Sequence, residues 1–320
     1  MTKYLVTGGT GFIGSALVKR LVRDGHSVRV IDNDLRGSKE RLHDVEVEVV
    51  QGDIRNSEAV AKACKGVDSV IHLAFVNGTE FFYTKPDLVL DVGVKGMMNV
   101  IDGCMKAGVK ELILASSSEV YQSPPIIPTP EDVPLSVPDP LNPRYSYCGG
   151  KIISELMAIN FGRKHFDRIV IFRPHNVYGP DMGREHVIPQ FILRMRSLEG
   201  KQFQIQGTGK ETRSFIFIDD FVEALVGLLE KGEHLGIYHI GTMDEISMEE
   251  VAKEVGRCFG KEIEIVPGPA AKGGTLRRCP DITKLRKLTG FEPTVSLKEG
   301  LARTVEWYDH NADKAGGLND

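Results

Sequence analysis

Apolar positions recur along the chain in two alternating rhythms. Short strand-like apolar runs recur at 4–6, 28–31, 46–50, 69–73, 111–115 and 168–172. Between them, 13–24, 57–64, 86–107 and 148–164 carry apolar residues at helical spacing. Strand alternating with helix predicts an α/β protein with a doubly wound parallel sheet and helices on both faces. Ligands of such sheets bind beyond the carboxyl ends of the strands. The residues that follow each apolar run are therefore the first candidates for chemistry.

The pattern changes after Tyr178. Val187-Ile188-Pro189 opens a helix, 247–259 and 296–309 read as helical, and Trp307 and Tyr308 pack near the end. Ile237 to Gly241 reads as a strand that returns to the first lobe, so two domains interleave: 1–178, with the strand near 236–241, and 179–310. Proline recurs from Pro124 to Pro143, which predicts a long irregular excursion over the surface. Asn311 to Asp320 is polar and Gly-containing and is expected to fray.

The first strand runs into Val-Thr-Gly-Gly-Thr-Gly-Phe-Ile-Gly (6–14) and then a helix. Gly8, Gly11 and Gly14 allow a sharp turn and close approach of backbone to a phosphate. The helix N-terminus then offers free N–H groups and the positive end of its dipole to a pyrophosphate. Asp32 ends the second apolar run, at the spacing of an acid that binds an adenosine ribose. A carboxylate there accepts from the ribose hydroxyls and repels a 2′-phosphate, which favours NAD over NADP. Arg36 close by acts in the opposite sense. This strand, Gly turn and helix define a Rossmann-type dinucleotide site.

Bulk properties narrow the classes. The chain has 320 residues, room for one large or two modest domains, and a net charge of -4, so no basic face for nucleic acid is implied. Five scattered Cys form no C-x-x-C, which points to a reducing compartment. The chain enters a strand at once and has no apolar run near the length of a membrane span. A soluble cytoplasmic protein, with no membrane and no nucleic-acid partner, is the expectation. His175, His186 and His239 have no metal-ligand spacing, so no metal is expected.

Later strand ends carry more chemistry. Asp53 either accepts from an adenine amino group or caps the helix that starts near Asn56-Ser57. His72 reads as a packing histidine, and small Ala74 would let backbone lie against a cofactor. Ser116-Ser117-Ser118-Glu119 closes the fifth run, three hydroxyls and a carboxylate together. Tyr147 and Lys151, four apart, share one helical face. An ammonium beside a phenol would lower the Tyr pKa and make it a proton carrier at neutral pH. Cys148 is either a second acid/base or a small helix residue.

With these residues assembled, the chain resembles the extended short-chain dehydrogenase/reductase family, in its NAD-dependent nucleotide-sugar epimerase/dehydratase branch. The likeness runs from Lys3 to about Tyr308. Thr7 to Gly14 fits the family's T-G-x-x-G-x-x-G. Its catalytic Ser/Thr–Tyr–Lys set falls on Ser117, Tyr147 and Lys151. Cofactor positions fall on Gly8, Gly11, Phe12, Ile13, Gly14, Asp32, Asn33, Ser38, Asp53, Ile54, Leu73, Ala74, Phe75, Tyr147, Lys151 and His175. Substrate positions fall on Ser117, Ser118, Asn176, Val187, Arg213 and Arg278, the two Arg serving the nucleotide diphosphate. The chain departs from the family where Gly93-Val94-Lys95-Gly96-Met97 stands for its usual Asn-Val-x-Gly-Thr, His175 for Phe, and Gln122 for Gly.

The resemblance implies oxidation of a nucleotide sugar at C4 through a transient 4-keto intermediate, with NAD regenerated in place. The simplest expectation is a C4 epimerase of a UDP-sugar. Glu119 keeps a second enzyme reading open, because family 4,6-dehydratases and glucuronate decarboxylases carry a Glu two positions after the triad hydroxyl. A non-catalytic NAD sensor is a third. Helices 86–107 and 148–164 carry apolar positions on more than one side, and the family pairs two such helices into a four-helix bundle, so a homodimer is expected.

Overall fold

The computed structural model describes residues 1–270 and 273–311, and the fraying expected after Asn311 lies outside them. Each of the six apolar runs forms a strand: β1 (Lys3–Thr7), β2 (Ser27–Asp32), β3 (Glu48–Gln51), β4 (Ser69–His72), β5 (Glu111–Ala115) and β6 (Arg168–Pro174). Strand Gly236–Ile240 comes back from the second lobe and pairs parallel with β6. The sheet runs Gly236–Ile240, β6, β5, β4, β1, β2, β3, with every pair parallel. The winding direction reverses between β1 and β4. Such a switch point opens a crevice at the carboxyl ends of the two strands.

Side chains alternate across the sheet as strand geometry requires. Val6, Ile113, Val170 and Phe172 enter one core, while Leu5, Ile31, Leu112, Leu114, Ile169 and Ile171 enter the other. Both faces of the central strands are buried, which is why those strands read as apolar runs, whereas β3 at the sheet edge is half-exposed. The first core continues into the second lobe through Phe217, Phe221, Leu225, Val251, Leu301 and Tyr308. The two lobes thus share one apolar interior.

Helix α1 (Phe12–Arg23) starts directly after Gly11. The predicted helix over 86–107 is one helical stretch with a fault. Pro86–Leu90 and Met97–Ala107 are α-helical, and Asp91–Gly96 between them is a π turn. Ser146–His165 forms the long helix expected over 148–164. Helix Ile218–Lys231 has no counterpart among the predicted elements. Its buried Asp220 accepts from Thr294 N–H (3.0 Å) and Val295 N–H (2.8 Å) and anchors the final helix, Leu297–His310. Among the described residues, no helix is long and apolar enough to cross a membrane.

The second lobe also holds a small sheet that the pattern did not reveal. Thr212–Ser214 pairs antiparallel with Glu245–Ser247 and parallel with Arg277–Arg278. Its register sets Arg278 opposite Arg213.

A buried polar network within the first lobe ties β5, β6, the long helix Ser146–His165 and the returning strand together. Arg173 on β6 donates to both oxygens of Glu155, from Nε (2.8 Å) and Nη2 (2.7 Å), and both side chains are within 3% of full burial. Ser116 Oγ donates to the same carboxylate, and Arg173 also donates to the Tyr121 hydroxyl. Tyr121 in turn pairs with His239 Nε2 (2.6 Å) on the returning strand. Removing one partner of such a pair leaves an unpaired buried charge. Glu155→Ala is therefore expected to lose about 3–5 kcal/mol of stability. Urea unfolding of wild type and variant measures it, and a loss under about 1 kcal/mol would contradict this account.

Candidate active site

The crevice at the β1–β4 switch point is a cavity of about 410 Å³. Its nucleotide end is built by close backbone contacts. Gly8 has φ +75°, and a Cβ there would stand 2.7 Å from Ala74 N, on the turn after β4. A Cβ on Gly14 would stand 2.1 Å from Gly8 O. Neither position admits a side chain, so the turn lies flat against the cavity floor with the N-terminus of α1 facing it. Gly8, Gly11, Phe12, Ile13 and Gly14 all line this end.

Asp32 and Asn33 line the same end at the tip of β2. Asp32 accepts from Thr10 N–H (3.0 Å) and Asp34 N–H (2.9 Å), which hold its carboxylate at the cavity edge. Asp53 and Ile54 follow β3 into the lining. Hydrogen bonds from Arg55 hold the Asp53 carboxyl down at about 2, against a smaller opposing effect of burial. The helix cap proposed for Asp53 falls instead to Asn56, whose side chain accepts from Glu58 and Ala59 N–H. Arg36 lines the cavity, but its guanidinium donates to Glu185 in the second lobe (2.9 Å) and lies over the Phe81 ring. That cation is committed across the cleft. The close-approach glycines, the helix terminus and the Asp32 carboxylate fit an adenine dinucleotide.

The reactive end gathers Ser117, Ser118, Glu119, Tyr147, Lys151, Asn176 and Arg278. Leu73, Ala74 and Phe75 connect the two ends. Ser117 caps the short 3-10 turn Ser118–Tyr121, accepting from Glu119 N–H (3.1 Å). Lys151 donates to Ala115 O (2.7 Å), at the end of β5. Its ammonium is buried, and burial pulls it down to about 7. Tyr147 differs from the expectation of a lowered pKa: burial raises the phenol to about 12, and a hydrogen bond from Ser117 only partly opposes this. The physical reason is the wall of rings, with Phe82 stacked on Tyr147 at 4.8 Å and Phe75 edge-on at 5.1 Å.

Glu119 is the acidic centre of a basic wall. Arg278 donates to its Oε1 (2.7 Å) and to Thr275 Oγ1 (3.1 Å). Burial alone would raise Glu119, but the charge and hydrogen bond of Arg278 outweigh it and hold the carboxyl below its ordinary value. Arg144 adds to this field and also lines the cavity.

Four predicted residues stand outside the lining. Ser38 caps the 3-10 turn Lys39–Leu42. Val187 begins the helix Val187–Arg196, with His186 before it reaching the cavity. His175 is buried against His239. Arg213 donates to Thr275 O (2.8 Å) and Thr212 O (2.7 Å) behind Arg278. Cys148 donates to Tyr145 O (3.3 Å), and burial pushes its thiol up to about 11, which fits a packed helix residue. His72 pairs with Thr7 Oγ1 (2.7 Å) as a packing histidine. Sequence reading did not assign Arg144, Phe82, Met182 or His186 to the site. Only Arg144 had a local signal, three residues before Tyr147.

Fold and cavity together define an NAD-dependent enzyme of the extended short-chain dehydrogenase/reductase type. The model of the NAD dependent epimerase/dehydratase family matches residues 4–241, and the chain belongs to that family. Among curated relatives it is 32% identical to UDP-glucuronic acid decarboxylase 1 of Xenopus tropicalis, over 96% of this chain and 72% of that one. It is also 32% identical to the UDP-N-acetyl-alpha-D-glucosaminuronate decarboxylase of Bacillus cytotoxicus, over 95% and 97%. Among solved structures, UDP-glucose 4-epimerase of Thermotoga maritima superposes with TM-score 0.87 at 29% identity, over 97% and 99% of the two chains. The NAD-bound dTDP-glucose 4,6-dehydratase DesIV of Streptomyces venezuelae superposes with TM-score 0.89 at 29% identity, over 99% and 100%.

The expectation that Asp32 binds the adenosine ribose makes a measurable demand. Asp32→Ala is expected to weaken NAD binding about tenfold or more, the worth of a charge-assisted hydrogen bond. Wild type should bind NADP more weakly than NAD. Isothermal titration with both nucleotides tests this, and equal affinities in wild type would remove the role given to Asp32.

Proposed function

We propose that the protein decarboxylates a UDP-linked hexuronic acid, using NAD that it regenerates in each cycle. The observation that carries this reading is the Glu119–Arg278 pair, set in the same cavity as Ser117 and Tyr147. C4 epimerisation, the simpler expectation, needs only a proton carrier and a hydride carrier at C4. It gives no task to a second carboxylate and cation. The decarboxylase relatives, at 32% identity over nearly all of this chain, support the same choice.

The residues divide the reaction as follows. Gly8, Gly14, Asp32, Ile54 and Lys151 hold the dinucleotide, which when bound supplies the hydride acceptor and later the donor at sugar C4. Tyr147, its phenol brought down from about 12 by the positive charges of Lys151 and of the bound oxidised nicotinamide, takes the proton of the C4 hydroxyl, and Ser117 hydrogen-bonds the same oxygen. The 4-keto-uronate so formed is a β-keto acid. Its C5–C6 bond breaks, carbon dioxide leaves, and the electron pair passes to the C4 oxygen as an enolate. Tyr147 and Ser117 face that oxygen, and Arg278 adds positive field where the negative charge develops. Glu119, held ionised by Arg278, orients the water that returns a proton to C5. Asn176 and Arg213 complete the nucleotide-sugar side.

Four exposed apolar residues lie on the helices named for assembly: Leu90, Met98, Ile153 and Leu156. Paired across a two-fold axis, these faces form the four-helix bundle of a homodimer. The five free thiols accord with a cytoplasmic setting.

Incubation with UDP-glucuronate should release carbon dioxide and yield a UDP-pentose, read by mass spectrometry and proton NMR. A product of unchanged mass would establish an epimerase instead. Glu119→Gln should lower kcat of decarboxylation about 10²-fold, the worth of a positioned acid–base group. An unaltered rate in that variant would remove Glu119 from the mechanism. Sedimentation equilibrium should give a dimer, and Leu156→Glu a monomer; a monomeric wild type would refute the bundle.

A further inference from the structure

Lys151 is a buried cation whose protein contacts are an oxygen and a ring. An ammonium has three N–H groups, and among the described residues only Ala115 O accepts from one at hydrogen-bonding distance. A ring lies beside it as well: Lys151 Nζ is 4.0 Å from the centroid of Phe75. The Tyr147 ring is further away, at 5.9 Å. The negative face of an aromatic ring favours the charged form of an amine, and more so where water is excluded.

The Phe75 ring sits in a slot made of missing side chains. A Cβ on Gly93, inside the π turn, would stand 2.4 Å from Phe75 Cζ. A Cβ on Gly150, one residue before Lys151, would stand 3.1 Å from the same atom. Ser154 Oγ clips the two walls together, within reach of Gly150 O (2.8 Å) and Gly93 O (3.1 Å). The departures at Gly93 and the π turn thus have one consequence: they admit an aromatic ring beneath the lysine. The same ring meets Tyr147 edge-on at 82°. It touches both members of the pair.

The geometry points to Phe75 as the positioning residue of Lys151: its ring, slotted between Gly93 and Gly150, holds the ammonium charged and aimed. This rests on the reading of Tyr147 and Lys151 as the proton-transfer pair, but it requires neither decarboxylation nor epimerisation. Burial drives Lys151 toward its neutral form, with Glu155 opposing. The ring adds to that opposition without adding a second negative charge beside the phenol.

The test reads Lys151 itself. NAD-loaded protein carrying 13Cε-lysine is titrated by NMR, and the signal lost in Lys151→Gln identifies Lys151. Mono-, di- and trifluorinated phenylalanine placed at position 75 weaken the ring face while keeping its shape. The Lys151 midpoint should fall stepwise, by about one pH unit across the series. The alkaline limb of kcat should move to lower pH by the same amount, because the protonated form is the active one. Gly93→Ala, which pushes the ring without removing it, should shift the midpoint in the same direction. A midpoint that stays constant across the fluorinated series overturns the proposal. A midpoint that falls while the kcat profile stays fixed upholds the seat and refutes the role given to Lys151 in proton transfer.

Discussion

The contact on which this molecule depends is backbone against backbone at the switch point of its sheet. Gly8, just past β1, lies so close to Ala74, just past β4, that no Cβ fits between them. Gly14 closes the turn from the other side by packing on Gly8 O. These approaches set α1 with its N-terminus at the cavity floor and bring the ends of β2, β3 and β5 around it. Larger residues at either glycine would pry the turn away from β4, and the crevice would lose its phosphate end.

Charge organises the other end of the crevice. Glu119 would be costly as an isolated buried carboxylate. Arg278 makes it affordable, and Arg144 and Arg213 extend the same field. Those cations come from distant parts of the chain. Arg213 and Arg278 meet because a small parallel pairing sets them side by side. The Pro-rich excursion packs on the same segment, with Thr129 N–H donating to Cys279 O (2.8 Å) and Asp281 N–H to Thr129 O (2.8 Å). Across the cleft, Arg36 pairs with Glu185 and Arg41 with Asp181, so ion pairs as well as the shared apolar core join the lobes.

What was legible in the chain and what was not divides along one physical line. Local geometry was written locally. The apolar runs became strands, the central ones buried on both faces and β3 half-exposed at the sheet edge, and the Gly8–Gly14 turn followed from backbone that only glycine permits. Strand ends and helix faces gathered the candidate side chains by spacing, and the family resemblance then picked Ser117, Tyr147 and Lys151 out of them. Helix Ile218–Lys231 went unread although its exposed Asp219, Glu223 and Glu230 fall on one face at helical spacing.

Distances across the sequence were decided only by the tertiary structure. Glu119 and Arg278 are 159 residues apart, and their contact depends on two sheets and a loop folding together. The phenol of Tyr147 is pushed up to about 12, the reverse of the local expectation, because Phe75 and Phe82 close over it from segments with no helical relation to it. Ser38, His175, Val187 and Arg213 sit behind the lining rather than in it, since a motif gives a residue's neighbours in sequence and not its line of sight. The sequence by itself determined the fold class and the dinucleotide turn, because propensity and glycine sterics act over a few residues, and through its family resemblance it pointed to Ser117, Tyr147 and Lys151. The tertiary structure decided which charges meet and which groups are dry, because desolvation and Coulomb energy depend on everything packed nearby.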